Sequence, residues 1–283
     1  MSANMAETLR KEAEMKAKAL KKTGEIPVKI MILSGKGGVG KSITTANLAL
    51  AFSKLGYRGK VAILDGDIHG PSIPMYLGID NKHLGAEGDK IFPVEGPMGI
   101  KVVSASYFLP KQELPIIWRG PLKVKFIRDM LASVEWGETR ILLIDTPPGT
   151  GDEIQGITQY VNRMSGAVVV TAPSDASLNV VKRAITFLKI VKVPLLGIIE
   201  NFSYVRCPSG EEKRIMGDGG RKVEEALGGK IIASIPYDPL LANPITEIGN
   251  PYEVEDLRGD PAARAFISAA KMILEEMNGG KID

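Results

Sequence analysis

The sequence predicts an α/β fold, a doubly wound and mostly parallel sheet with helices on both faces. Three observations predict it. Seven short apolar runs, at 28–33, 60–65, 99–105, 140–145, 167–171, 195–200 and 230–235, recur along the 283 residues, and helical stretches separate most of them. The runs are apolar at odd and even positions alike, as strands covered on both faces must be. Pro and Gly cluster at 70–74, 93–99, 147–151 and 208–220, and the first and third of these loops directly follow strands. Ligands of open parallel sheets bind beyond the carboxyl ends of the strands, which makes these loops the place to look for function.

Taken in order, residues 1–26 are an N-terminal extension. They are rich in Ala, Glu, Lys and Met with little of a complete apolar face, and read either as a mobile or loosely docked helix or as a docking arm for a partner. After Pro27 the texture changes: the run at 28–33, a glycine-rich turn and a helical pattern at 42–55 read as strand, loop, helix. The alternation then continues as one domain over 27–278, with a short tail at 279–283 and no internal repeat or low-complexity tract. The pattern at 261–277 puts Ala263, Phe266, Ile267, Ala270, Ile273, Leu274 and Met277 on one side of a helix. Glu275 and Glu276 stand beside it with only Lys271 and Arg264 as bases, so core packing is expected rather than a membrane-surface role.

Bulk properties narrow the class. With 44% apolar residues and a mean hydropathy near zero, the chain is long enough for one large core. A net charge of +3, from 36 basic and 33 acidic residues without a basic block, does not favour nucleic acid as a partner. The single cysteine, Cys207, makes no intramolecular disulfide, and the N-terminus lacks the apolar core of a secretory signal. A cytoplasmic setting is therefore expected. No apolar run approaches the ~20 residues that cross a bilayer, so no membrane partner is expected.

The strongest chemical signal is Gly35-Lys36-Gly37-Gly38-Val39-Gly40-Lys41-Ser42, which fits G-x-x-x-x-G-K-[ST] between a predicted strand and a predicted helix. Glycines let the backbone wrap closely, so that successive N–H groups and the positive helix end hold phosphates; Ile43 follows within the same turn. Lys41 is placed to reach the β and γ phosphates of ATP, and the Ser42 hydroxyl to ligate Mg²⁺, which takes oxygen ligands. The added Lys36 makes the string K-G-G-V-G-K-S, which resembles the deviant Walker A signature shared by MinD, ParA, nitrogenase iron protein and the Mrp/ApbC group. The resemblance implies a P-loop NTPase of the SIMIBI type that works as a homodimer, with Lys36 reaching the phosphates bound by the other copy. A charge delivered in this way stabilises the transferring phosphoryl group only after assembly.

Two acidic strand ends follow. Asp65-Gly66-Asp67-Ile68-His69-Gly70-Pro71-Ser72 places two carboxylates next to the phosphate loop, suited to positioning water and supporting the metal shell. The string resembles the Mrp/ApbC switch I, which implies Asp67 as the acid that orients water and Asp65 in a supporting role; a turn or capping role is the alternative. His69 reads as a loop hydrogen-bond partner, since His83 is the only other histidine. Asp145 ends the run 141–144, as a carboxylate that binds Mg²⁺ directly or through water does. Asp145-Thr146-Pro147-Pro148-Gly149-Thr150-Gly151-Asp152 closely resembles the Mrp/ApbC switch II, in which Gly149 and Asp152 belong to a segment that rearranges with the γ-phosphate.

Asn201 stands at a strand end where an amide can donate to and accept from adenine. The relatives use an asparagine here and the backbone after an I-P element, which implies Asn201, Pro236 and Asp238 as adenine contacts. The segment 201–211 looks like the Mrp/ApbC stretch ending in C-P-x-C, whose cysteines hold a bridging [4Fe–4S] cluster across the dimer. Cys207 and Pro208 are present, and Gly210 stands in place of the second cysteine. A cluster normally takes four thiolates where a homodimer here supplies two. Cys207 thus stands open between a surface thiol, a ligand of a labile cluster completed by a partner or small thiol, and an unrelated role. The resemblance spans about 27–269 and implies an ATP-driven carrier or scaffold in iron–sulfur cluster assembly, with scaffold or apo-client proteins as partners. The rival readings are a MinD/ParA-like positioning or partitioning ATPase and a nucleotide-gated interaction protein without a cluster.

Overall fold

In the first strand Ile30 and Ile32 face one side and Met31 and Leu33 the other, and all four are fully buried, so helices must cover both faces of the sheet it enters. The computed structural model of the chain describes residues 3–108, 120–149, 151–174, 177–207, 209–214, 217, 223–225, 229–255 and 260–278. In chain order its elements are α1 (Ala3–Gly24), β1 (Val28–Ser34), α2 (Lys41–Phe52), β2 (Val61–Asp65), α3 (Ile73–Tyr76), β3 (Gly85–Glu87), β4 (Lys90–Phe92), β5 (Val94–Glu95), β6 (Lys101–Ser104), α4 (Gly120–Ser133) and β7 (Ile141–Asp145). There follow α5 (Asp152–Tyr160), β8 (Gly166–Thr171), α6 (Ser177–Ile190), β9 (Leu195–Glu200), β10 (Val205–Arg206), β11 (Glu212–Lys213), β12 (Ile231–Ser234), α7 (Ile245–Ile248) and α8 (Pro261–Asn278).

Eight strands form one sheet in the order β12-β9-β8-β1-β7-β2-β6-β5, parallel throughout except for β5, which pairs antiparallel with β6. From β1 the chain crosses through α2 to β2 on one side, and from β7 through α5 to β8 on the other. The connections therefore diverge at the neighbouring strands β1 and β7, and a crevice opens beyond their carboxyl ends. α2 and α8 cover one face with Leu48, Phe52, Phe266 and Ile273. α4, α5 and α6 cover the other through Ile127, Leu131, Ile157, Val181 and Leu188. On α8 Ala263, Phe266, Ala270, Ile273 and Met277 are buried while Ile267 and Leu274 are partly so. Among the described residues no helix is long and apolar enough to cross a membrane.

Where the elements depart from the sequence pattern, backbone chemistry explains it. The helical pattern at 42–55 ends as regular α-helix at Phe52 and widens into one π turn, Ser53–Tyr57, closed by Gly56 at φ 105°. The run at 99–105 is a strand only over Lys101–Ser104, because the tight turn Pro97–Gly99 precedes it. The N-terminal helix docks on α4 through a narrow stripe, Met15, Ala19 and Thr23, with Ile26 just beyond. Polar ties fix its end. Lys22 Nζ donates to Val134 O at 3.0 Å and Glu135 Oε1 at 2.8 Å, and buried Lys29 Nζ donates to Ile26 O at 2.6 Å and Thr23 O at 3.2 Å. Burial and the Arg163 charge push the Lys29 ammonium below the usual lysine range. The tail at 279–283 lies outside the described residues.

Candidate functional site

The loop at 35–40 joins β1 to α2 at the crevice, and two of its glycines are required by what surrounds them. Gly40 sits at φ 81°, and a Cβ there would lie 2.0 Å from Asn201 Nδ2. A Cβ on Gly35 would lie 2.1 Å from Val180 Cγ1, so α6 meets bare backbone. Gly37 and Gly38 face open space, exposed, as does Lys36, and Val39 is buried beneath them. Among the described residues the N–H groups of Gly37, Gly38, Lys41 and Ser42 meet no main-chain or side-chain acceptor, and they lie at and just before the first turn of α2, with half-buried Ile43 next in the chain.

Lys41 folds over this turn, its side chain 7% exposed, and donates from Nζ to Asp145 Oδ2 at 2.7 Å. Ser42 Oγ donates to the same oxygen at 2.6 Å. Thr45 Oγ1, one helical turn on, donates to Asp145 Oδ1 at 2.7 Å. Asp145 is fully buried, so a charge expensive to desolvate is held by three donors. Asp65 and Asp145 are register partners on neighbouring strands and end them at the same level. Asp65 is also fully buried and accepts from Ser104 Oγ at 2.9 Å, Asp67 N at 3.3 Å and Ile73 N at 3.4 Å. Burial first, and then the Asp145 charge, push its carboxyl up to about 7, against the pull of the Ser104 hydrogen bond and Lys41. Asp67 reaches to 4.0 Å from Lys41 Nζ with its side chain 14% exposed.

The two acidic loops touch. Gly66 N donates to Asp145 O at 2.8 Å, Thr146 Oγ1 donates to Ile32 O at 2.8 Å, and Gly149, at φ 98°, donates from N to Ser34 O at 2.9 Å. Asp152 begins α5, and its side chain, like Thr150 and Pro208, lies outside the described residues. A hard-oxygen pair suited to Mg²⁺ is present in the Ser42 hydroxyl and the Asp145 carboxylate, beside a glycine loop whose N–H groups have no acceptor among the described residues. The donor set fits.

Asn201 lies against Gly40 of the glycine loop, and Ser203, two residues on, donates from N to Ile235 O just past β12 at 2.8 Å. Asn201 is fully buried; its Nδ2 donates to Val39 O at 3.0 Å, and its Oδ1 has no partner among the described residues. Its amide is thus half used to brace the loop. Pro236 is buried next to exposed Tyr237, whose ring meets Phe202 at 5.8 Å. Asp238 Oδ1 accepts from Leu240 N at 2.9 Å, capping the short turn Pro239–Ala242. Beside it opens a cavity of about 250 Å³ lined by Ala46, Asn47, Leu50, Asp238, Leu240 and Ile245.

Cys207 is half-buried and free, at the tip of the β10–β11 hairpin, where its N–H donates to Glu211 O and its carbonyl accepts from Gly210 N, both at 2.8 Å. Gly210 adopts φ 85° to make this turn. Among the described residues no group of three His, Cys, Asp or Glu side chains is arranged to hold a metal ion. Arg214 ties the hairpin to the buried end of β9 through Glu200 Oε2 at 3.3 Å.

Three participants carried no sequence signal of their own. Thr45 is one hydroxyl in the run Ser42-Ile43-Thr44-Thr45, Ser104 is a strand-end serine, and Lys123 is a helical lysine. Only the fold brings Thr45 to Asp145, Ser104 to Asp65, and Lys123 to His69 and Glu153.

The family model described as ParA, the NUBPL iron-transfer P-loop NTPases, matches residues 25–274. The iron-sulfur cluster carrier protein of Saccharolobus solfataricus is 41% identical over 256 residues, covering 90% of this chain and 85% of the relative. A nucleotide-binding protein from Archaeoglobus fulgidus, solved in complex with ADP, superposes with a TM-score of 0.72 at 35% identity, covering 87% of this chain and 96% of that one. The septum site-determining protein MinD of Pyrococcus horikoshii, complexed with Mg-ADP, shares the fold with a TM-score of 0.58 at 23% identity, covering 87% of this chain and 95% of that one.

Proposed function

The chain belongs to the ParA family of NUBPL-type iron-transfer P-loop NTPases, and we propose that it is an Mg²⁺-dependent ATPase that works as a homodimer, in the cytoplasm, to carry or scaffold iron–sulfur clusters. The observation that supports this most is the convergence of Lys41, Ser42 and Thr45 on buried Asp145, next to a glycine loop whose N–H groups have no acceptor among the described residues.

In this reading the N–H groups of residues 37–42 and the Lys41 ammonium hold the β and γ phosphates of ATP. Ser42 and Asp145 hold the Mg²⁺, which when bound offsets charge on the phosphate oxygens. Asp67, accepting a hydrogen bond from water, aligns it in line with the bond from the γ-phosphorus to its bridging oxygen. That bond breaks as the new one to the water oxygen forms, giving ADP and phosphate. Asp65 supports Asp67 from beneath through the N–H that Asp67 donates to it. Lys36, exposed at the rim, completes the site of the second copy. Asn201, Pro236 and Asp238 border adenine, and the segment from Gly149 to Asp152 responds to the γ-phosphate.

The cargo is a cluster carried at Cys207, with two thiolates from a homodimer and the rest from a scaffold protein, an apo-client or a small thiol. One observation favours a second reading, a nucleotide-gated interaction protein without a cluster: Gly210 takes a left-handed turn where a second thiolate would stand. Anaerobic reconstitution with iron and sulfide, followed by absorbance and iron content, decides between them. Iron bound by the wild type and lost in Cys207→Ser supports carriage; iron content equal in both rejects Cys207 as its holder. Phosphate release from ATP tests the hydrolysis in the same preparation.

A further inference from the structure

Lys123 belongs neither to the phosphate loop nor to the three carboxylates, yet both acidic loops are tied to it. It projects from the first turns of α4 with its side chain 7% exposed. Its Nζ donates to Glu153 Oε1 at 2.5 Å and bonds His69 Nε2. Glu153 is the second residue of α5, the helix that leaves the loop after Asp145, and His69 lies two residues past Asp67. An ammonium has only donors, so in this contact Nε2 is the acceptor.

The loop that carries Asp67 is thereby held at both ends of its turn. Ile68 is 3% exposed and sits in the core with Ile127 of α4 and Ile157 of α5. Next to it Gly66 leaves little room for a side chain, since a Cβ would lie 3.0 Å from Asp145 O. His69, exposed to solvent, is fixed sideways by Lys123. The fold does not need this lysine to join the two helices. Val124 packs where Gly156 leaves space, a Cβ there falling 2.7 Å from Val124 Cγ1, and Ile127, Met130 and Ile157 continue the apolar contact. Both partners of Lys123 have access to water, so neither is stranded without it.

We propose that Lys123 is a positioning residue for hydrolysis, which through His69 and Glu153 locks the loop bearing Asp67 to the helix that follows Asp145, so that the two segments hold and move as one. This rests on the ATPase reading above. Displacing a water-orienting group by an ångström costs up to about 100-fold in rate. Lys123→Met is therefore expected to lower kcat by roughly 10- to 100-fold while KM for ATP changes by less than about threefold.

The test is steady-state phosphate release with Mg²⁺ and ATP on the full chain. It compares wild type, Lys123→Met, Lys123→Arg, His69→Ala and the double variant Lys123→Met/His69→Ala. The expected result is a kcat loss in Lys123→Met and His69→Ala, recovery in Lys123→Arg, and a double variant no slower than the slower single one, because both remove one link. Undiminished kcat in Lys123→Met, or losses that multiply in the double variant, overturns the proposal. If Lys123→Met does not fold, His69→Ala, a change at an exposed position, decides alone: a kcat loss upholds the link and wild-type kcat overturns it. A wild type without turnover would instead overturn the hydrolysis reading, which separates the two failures.

Discussion

Thr44 and Thr45 are neighbours on α2, both fully buried, and the same substitution should destabilise at Thr45 and not at Thr44. Thr45 Oγ1 lies 2.7 Å from Asp145 Oδ1 and 3.0 Å from Lys41 O. A hydroxyl has one proton, and the carboxylate is the stronger acceptor. Thr45→Val keeps the branched shape and strips one donor from a buried charge, which costs about 1.5–3 kcal/mol. Thr44 Oγ1 has no partner among the described residues, so Thr44→Val removes a polar atom that is already unsatisfied and is neutral or stabilising by about 1 kcal/mol. At about 2–4 °C per kcal/mol for a chain of this size, Thr45→Val lowers Tm by roughly 3–12 °C and Thr44→Val leaves it level or raises it by a few degrees. Thermal unfolding followed by circular dichroism, in EDTA and without nucleotide, measures both. Equal shifts of the same sign would refute the reasoning, because they would mean that the Asp145 contact carries no special weight.

Lys36→Ala, at an exposed position, should leave Tm and ATP affinity unchanged and slow phosphate release by at least about 100-fold, as loss of a charge supplied in trans does; unchanged turnover would remove Lys36 from the chemistry. Asp65 gives a pH dependence whose sign follows from its raised pKa of about 7. The folded state holds this proton more tightly than the unfolded chain, so the contribution is full below about pH 4 and is lost as pH rises through about 7. Asp65→Asn, which cannot ionise, should flatten that decline in a Tm series from pH 4.5 to 8 without nucleotide or metal; an unaltered slope would contradict the assignment.

How much of the fold and the site is legible in the sequence depends on how strongly burial constrains each segment. The strands at 28–33 through 195–200 can be read because both faces are largely covered, which leaves an apolar run, and the edge strand at 230–235 keeps the run although it is only partly buried. Their ends shift by one or two residues where a turn intervenes, as at Pro97–Gly99. The β3–β4 hairpin has no such signature, since Gly85–Glu87 is exposed along its length. The N-terminal extension hides its docking for a similar reason: the contact uses only the narrow stripe of Met15, Ala19 and Thr23, with ties from Lys22 and Lys29, instead of a complete apolar face. At the site, glycine spacing and strand-end acids mark the phosphate loop, Asp65, Asp67 and Asp145, because their chemistry is local in sequence. Thr45, Ser104 and Lys123 act across 100, 39 and 54 residues, where nothing in the chain's order announces the partner. Asn201 can be placed at a strand end, whereas the use of its Nδ2 on Val39 O depends on how closely Gly40 lets it approach.

The central claim is that the loop at 35–42 encloses a magnesium-bound triphosphate steadied by Asp145, and isothermal titration with a slowly hydrolysed ATP analogue tests it most directly. The account predicts a saturable heat in the presence of Mg²⁺ that is weakened by EDTA and lost in Lys41→Ala. A wild-type chain, folded by circular dichroism, that gave no heat at millimolar analogue would contradict it.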